Sequence, residues 1–169
     1  MTSSIFSGPT SDLKGARLVP LQFEAIGPLA SAIVVMPPWS VMRYSADALA
    51  RFLAAPDGGA SRFLVEIDSQ PAGAVSVRFP WLKGPYLELL ALLPPFQGRG
   101  IGSALLAWFE KEGARQGARN LWVCASSFNA QAILFYERHG FQPAATLSGL
   151  VADGYDEILL RKFPLNGAR

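Results

Sequence analysis

The sequence predicts an α/β protein, a mixed sheet flanked by helices, and three observations carry that expectation. Two apolar runs, Arg62–Ile67 and Ala72–Phe79, are separated by Asp68-Ser69-Gln70-Pro71 and read as a hairpin. Further on, strand-like and helix-like segments alternate (Tyr86–Leu93, Ser103–Gln116, Leu121–Ala125, Ala130–His139), the order of βαβ units. Third, 169 residues, 50% hydrophobic and 17% charged, suit one domain that buries about two thirds of its unfolded surface. A disordered or fibrous chain is excluded.

The elements follow in order. Met1–Lys14 is expected to be a loose terminus. Arg17–Phe23 reads as a first strand and Glu24–Val35 as a helix, broken by Met36-Pro37-Pro38-Trp39 because proline lacks an N–H and restricts the residue before it. Ser45 caps a helix over Ala46–Ala54, which stops at Pro56-Asp57-Gly58-Gly59. After the hairpin, Pro80–Pro85 is expected to be a loop before the fourth strand. Gly117 ends the helix that starts at Ser103. Asn129 is the N-cap of the next helix, and Gly140 its left-handed end, with Phe141 packing back. Two more strands, Ala144–Val151 and Tyr155–Phe163, meet at Asp153-Gly154.

Charge and composition narrow the functions. Net charge is +2, with basic residues scattered, so no nucleic-acid surface is expected. Cys124, the single cysteine, permits neither an internal disulfide nor a cysteine zinc site, and no metal site is expected. The first residues lack a signal peptide pattern, and no apolar run approaches the roughly 20 residues that cross a bilayer. A cytoplasmic protein without membrane contact is the expectation.

Gln97-Gly98-Arg99-Gly100-Ile101-Gly102 joins a strand to a helix, and such a loop suits phosphate. Glycines admit close approach, the first N–H groups of the helix are unpaired, and the dipole favours an anion. Arg99 adds a positive charge. A dinucleotide fingerprint needs a third glycine, but the positions counted from Gly98 and Gly100 hold Ser103 and Leu105. No Gly-Lys-Ser/Thr follows either, so a Walker loop fails. On its glycines alone the loop could also be an ordinary connection.

The segment Asn129–Phe141 decides between these. Gln97, Gly100 and Gly102 match Gln-x-x-Gly-x-Gly after a strand; Asn129, Ala132, Phe135, Tyr136, Gly140 and Phe141 match Asn-x-x-Ala-x-x-Phe-Tyr-x-x-x-Gly-Phe. In these two motifs, in this order, the chain resembles the GCN5-related N-acetyltransferase (GNAT) superfamily, over Tyr86–Phe141. The resemblance implies a mostly antiparallel mixed sheet whose parallel strands 4 and 5 splay apart, and an acetyl-CoA cosubstrate in the gap. By the same resemblance the backbones of Leu90 and Leu92 pair with the pantetheine amides. Gln97, Gly98, Arg99, Gly100, Ile101 and Gly102 take the pyrophosphate with Ser103, while Asn129 and Phe135 lie along the pantetheine arm.

The implied reaction is direct acyl transfer from a thioester to a primary amine. An amine of pKa about 10.4 is unprotonated in fewer than about one molecule in a thousand at pH 7, so a group must accept a proton. Glu88 is the candidate, placed by period-two alternation on the face of Leu90 and Leu92; the other reading is a strand carboxylate held by hydrogen bonds. Tyr136 matches the family's acid for the leaving thiolate, against a buried core aromatic. His139 reads as a helix-end residue and Cys124 as core. Trp39, Met42 and Trp81, with Asp153, Asp156 and Glu157 nearby, are candidates for the acceptor site, for which the tryptophans would make an apolar wall.

A small-molecule amine is the first choice of acceptor, and a protein N-terminus or lysine the second. A non-catalytic acyl-CoA sensor on the same fold is the competing class; it needs neither Glu88 nor Tyr136. A homodimer is left open.

Overall fold

Alternating apolar segments pair into one seven-stranded sheet in the computed structural model, which describes Phe6 and residues 13–165. Across the sheet run β1 (Ala16–Pro20), β2 (Ala60–Ile67), β3 (Gln70–Trp81), β4 (Gly84–Leu92), β5 (Leu121–Ser126), β7 (Asp156–Lys162) and β6 (Gln142–Ser148). Every neighbouring pair is antiparallel except β4 with β5, which is parallel.

Strand alternation divides the interior into two cores. Phe63, Val65, Val75 and Val77 face α3 (Ile101–Arg115) and α4 (Ala130–Arg138). Leu64 and Ala74, one position out of phase, face α1 (Phe23–Val34) and α2 (Ala46–Ala54). α3 buries Leu105, Leu106, Trp108 and Phe109, the i, i+3, i+4 spacing of a core-facing helix. Arg62 Nη1 donates to the Leu53 and Ala55 carbonyls, filling acceptors that the end of α2 leaves open.

The structure corrects several expected boundaries. The first strand ends at Pro20, and Phe23, 78% exposed, opens α1. Pro80–Pro85 is not a loop: β3 runs to Trp81 and β4 starts at Gly84, joined by Leu82 and Lys83 at φ 41° and 64°. That two-residue hairpin lacks the Asn-Gly signature, and its pairing is supplied by the strands on either side. The sixth strand is Gln142–Ser148 rather than Ala144–Val151, which leaves Leu150 and Val151 in the loop before β7. Of the expected loose terminus, residues 1–5 and 7–12 lie outside the described residues. Phe6 itself is fully buried, with ring centroids 5.9 Å from Trp108 and 6.2 Å from Phe109.

Candidate active site

β4 and β5 pair at only two positions, Tyr86 with Trp122 and Leu87 with Val123. Beyond them β4 carries a bulge. Val77 of β3 faces Leu87 and Ser76 faces Leu89, so Glu88 is the extra residue between. A bulge bends its own strand. β5 meanwhile stays with β7 as far as Ser126, opposite Glu157. The two parallel strands therefore part at Glu88, as the resemblance implied.

The bulge also resets which side chains share a face. Leu87, Leu90 and Leu92 pack on the α3–α4 core, whereas Leu89 and Ala91 pack on the α1–α2 core. The Glu88 carboxylate accepts from Ser76 Oγ at 2.8 Å and from Arg78 Nε at 2.5 Å, residues that alternate with Val75 and Val77. Glu88 thus lies on the face opposite Leu90 and Leu92. Period-two counting fails here because the strand period is interrupted. Arg78 is shared with Asp57 at 2.6 Å, which holds the Asp57 carboxyl below its ordinary value.

On the α3–α4 side the parted strands border a cleft of about 610 Å³. Leu90 and Leu92 form one wall, Asn129, Ala132, Phe135 and Tyr136 the other, and Gln97, Gly98, Gly100, Gly102 and Ser103 close one end. Gly98 and Gly100 hold φ of 73° and 77°, where a side chain would be strained. α3 begins at Ile101, two residues before the expected Ser103, with Gly100 as a cap that offers no side chain. The N–H groups of Ile101, Gly102 and Ser103 consequently have no partner within the helix. A Cβ on Gly102 would lie 3.3 Å from Phe135 Cζ and 3.9 Å from Leu92 Cδ1, two residues that line the cleft with it.

The named side chains divide by place. Ile101 points into the core, and its side chain does not line the cleft. Arg99 is exposed, its guanidinium 5.5 Å from the Phe96 ring centroid. Gln97 Nε2 donates to the Leu92 carbonyl at 2.8 Å. Asn129 caps α4 by accepting from the Ala132 N–H at 3.2 Å and also lines the cleft, so the cap does not take it off the cleft wall. Lys14 was missed: its Cε lies 4.0 Å from where Gly100 would carry a Cβ. No local pattern marks it, because its placement depends on β1.

On the α1–α2 side lies a smaller pocket of about 160 Å³, which shares Leu90, Asn129, Ala132 and Tyr136 with the cleft. Trp39, Met42, Leu150 and Val151 line it with Glu88, Cys124 and Glu157. Trp81 does not line it. That ring stacks on Tyr86 at 4.7 Å and meets Trp122 edge-on at 5.7 Å, supporting the wall from behind. Tyr136 stands at the seam of the two spaces, and its hydroxyl has no hydrogen-bond partner among the described residues. Burial first, then Cys124, raises its pKa well above the ordinary phenol value. Burial likewise raises the Cys124 thiol, which keeps it protonated and unreactive. His139 ends α4 with Nδ1 2.7 Å from the Phe135 carbonyl oxygen, an engaged helix-end residue.

Against this geometry, the model of the Acetyltransferase (GNAT) family matches residues 29–141, more than half of the chain. The chain belongs to the GNAT family. The [ribosomal protein bS18]-alanine N-acetyltransferase of Escherichia coli is 30% identical to this GNAT chain over 79 residues, 46% of this chain and 53% of that one. An aminoalkylphosphonate N-acetyltransferase of Salmonella typhimurium is 38% identical over 56 residues, 33% of this chain and 36% of that one. The chain spans about half the length, or less, of the curated relatives it matches. The crystal structure of a GNAT acetyltransferase from Elizabethkingia anophelis with acetyl-CoA bound superposes with TM-score 0.65 at 13% identity, covering 88% of this chain and 98% of that one. Its likeness is one of fold. Among the described residues no helix is long and apolar enough to cross a membrane.

Proposed function

We propose that the protein transfers the acetyl group of acetyl-CoA to a primary amine of a small molecule. The observation that carries this reading is Tyr136, a buried acid with a free hydroxyl at the seam of two spaces on either side of parted parallel strands. An acyl-CoA sensor needs a cleft; it needs no acid there and no second pocket.

The larger cleft suits the cosubstrate. Its closed end offers the N–H groups of Ile101, Gly102 and Ser103 at a helix N-terminus, donors that hold a pyrophosphate without a particular side chain. Leu90 and Leu92 present a strand edge that β5 has left, suited to the two amides of a pantetheine arm. With Gln97 on its carbonyl, Leu92 offers its second lone pair or exchanges that contact. Gly102 is the cradle that a Cβ would fill. Acetyl-CoA supplies an activated carbonyl whose leaving group is a thiolate.

The chain's residues then do two things. Tyr136 stays protonated through the working range and gives its proton to the departing sulfur. The amine nitrogen forms the new C–N bond as the C–S bond breaks, and one nitrogen proton makes good the proton lost by Tyr136. Glu88 contributes at one remove. Both of its oxygens are engaged, so in this reading it fixes the bulge that parts the strands. An amine entering as ammonium must still shed one proton first.

A protein N-terminus is the second reading, favoured by the Escherichia coli relative, a [ribosomal protein bS18]-alanine N-acetyltransferase. A thermal-shift series with acetyl-CoA, CoA, NAD and ATP, followed by thiol release with a panel of amines and peptides, tests both. No stabilisation by either CoA species would overturn the proposal, and release only with peptides would favour the second reading.

A further inference from the structure

Glu157 is a carboxylate without a counter-ion at the bottom of the smaller pocket. It sits on β7 opposite Ser126 and is 5% exposed. Ser126 Oγ donates to Oε1 at 2.6 Å, while Oε2 has no hydrogen-bond partner among the described residues. Among the described residues no Lys, Arg or His lines this pocket. The titratable groups that face it are Glu88, already paired with Arg78, and Tyr86, Cys124 and Tyr136, all neutral. Leaving an ionised carboxylate in such a place costs free energy that a cation bound beside it returns. Among the described residues none supplies such a cation.

The rest of the pocket limits what the cation can be. Trp39, Met42, Leu150 and Val151 are apolar, and a volume of about 160 Å³ is close to that of an engineered cavity, roughly 150 Å³, that holds benzene. A ligand carrying a carboxylate next to its amine would bring a second anion into a space with no donor cation to meet it. We propose that Glu157 is the group that binds the acceptor's ammonium and takes its first proton, and that the acceptor is a compact apolar amine without an adjacent carboxylate. This rests on the acetyl-transfer reading above and names its substrate class.

The step balances simply. The ammonium N–H bond breaks, its proton goes to Glu157 Oε2, and the electron pair stays on nitrogen for the thioester carbonyl. Glu157 returns the proton to solvent between turnovers. Burial raises the pKa of this carboxyl, so it accepts a proton more readily than an exposed glutamate would.

Calorimetric titration of the whole chain with 2-phenylethylamine, phenylalanine and an alanine-first peptide tests this, in the wild type and in Glu157→Gln. The variant keeps the shape and the Ser126 bond, and its acetyl-CoA titration reports that it is folded. Expected is binding of 2-phenylethylamine at least about tenfold tighter than phenylalanine, lost by about tenfold or more in Glu157→Gln while acetyl-CoA affinity stays within about twofold. Thiol release with 2-phenylethylamine should fall by about a hundredfold in the variant. Equal amine binding by the variant, no amine binding by the wild type, or preference for phenylalanine or the peptide would each overturn the proposal. Amine binding that depends on Glu157 in a protein that does not bind acetyl-CoA would uphold the ammonium site alone, and would sink the acetyl-transfer reading together with the proton-accepting role.

Discussion

Gln97 Nε2 lies 2.8 Å from the carbonyl oxygen of Leu92, so a side chain of the glycine loop is tied to the end of the strand that precedes it. The bond fixes the loop against the wall of the cleft before any ligand arrives. Gln97→Ala removes one neutral hydrogen bond, worth about 1 kcal/mol, from this pre-set arrangement. The acetyl-CoA Kd should rise about fivefold by calorimetry, with kcat at saturating acetyl-CoA little changed.

Tyr136→Phe separates acid from wall. The ring stays in place, with Phe141 5.8 Å away and Phe135 5.4 Å away, while the proton donor is gone. Expected is a fall in kcat of about a hundredfold with unchanged acetyl-CoA affinity. Because burial holds the phenol proton more tightly than usual, the wild-type kcat profile should show no loss from this residue between pH 7 and about pH 10. A variant with wild-type kcat would remove the assigned role.

What the sequence made legible is what depends on neighbours in the chain. A glycine loop before an apolar helix, an Asn cap and a Gly-Phe helix end are local chemistry, and all three stand where the motifs put them. The face of Glu88 was not legible, because the bulge that turns it exists only in the pairing with β3. Glu157 was visible only as one of three acids near the acceptor. Its hydrogen-bond partner is Ser126, 31 residues away, brought opposite by the β5–β7 ladder. Phe6 was hidden for the same reason: its partners Phe79, Trp108 and Phe109 belong to two distant elements.

Glu157 also predicts how stability varies with pH. Burial raises its folded pKa above the ordinary 4.5, so the folded state binds this proton more tightly than the unfolded chain. Its contribution is most favourable below about pH 4.5 and is lost as pH rises through the folded value. Glu157→Gln removes that loss. The variant should therefore melt about 2 °C or more above the wild type at pH 7.5, with the gap closing towards pH 4. Equal melting temperatures across that range would show that the carboxylate is not under strain.

Glu88→Gln tests the division of labour between the two carboxylates. The substitution retains an acceptor for Ser76 but discharges the Arg78 pair, whose carboxylate side is 9% exposed. If Glu88 fixes the bulge, the variant melts several degrees lower yet loses less than about tenfold in kcat/KM for the amine. A hundredfold loss with unchanged melting temperature would return the proton-accepting role to Glu88.

Lys14 supplies the last test, because it is an exposed cation beside the glycine loop with no part in the motif. Its aliphatic end lies near Gly100, within reach of a phosphate held by the first turn of α3. An exposed charge acts weakly and is screened, so Lys14→Ala should raise the acetyl-CoA Kd only about threefold at low salt. The difference should vanish by about 0.5 M salt, whereas the loss in Gln97→Ala, which is a hydrogen bond rather than a field, should persist. Measuring both variants at two salt concentrations distinguishes a cation that steers the phosphates from a loop that is simply held in shape.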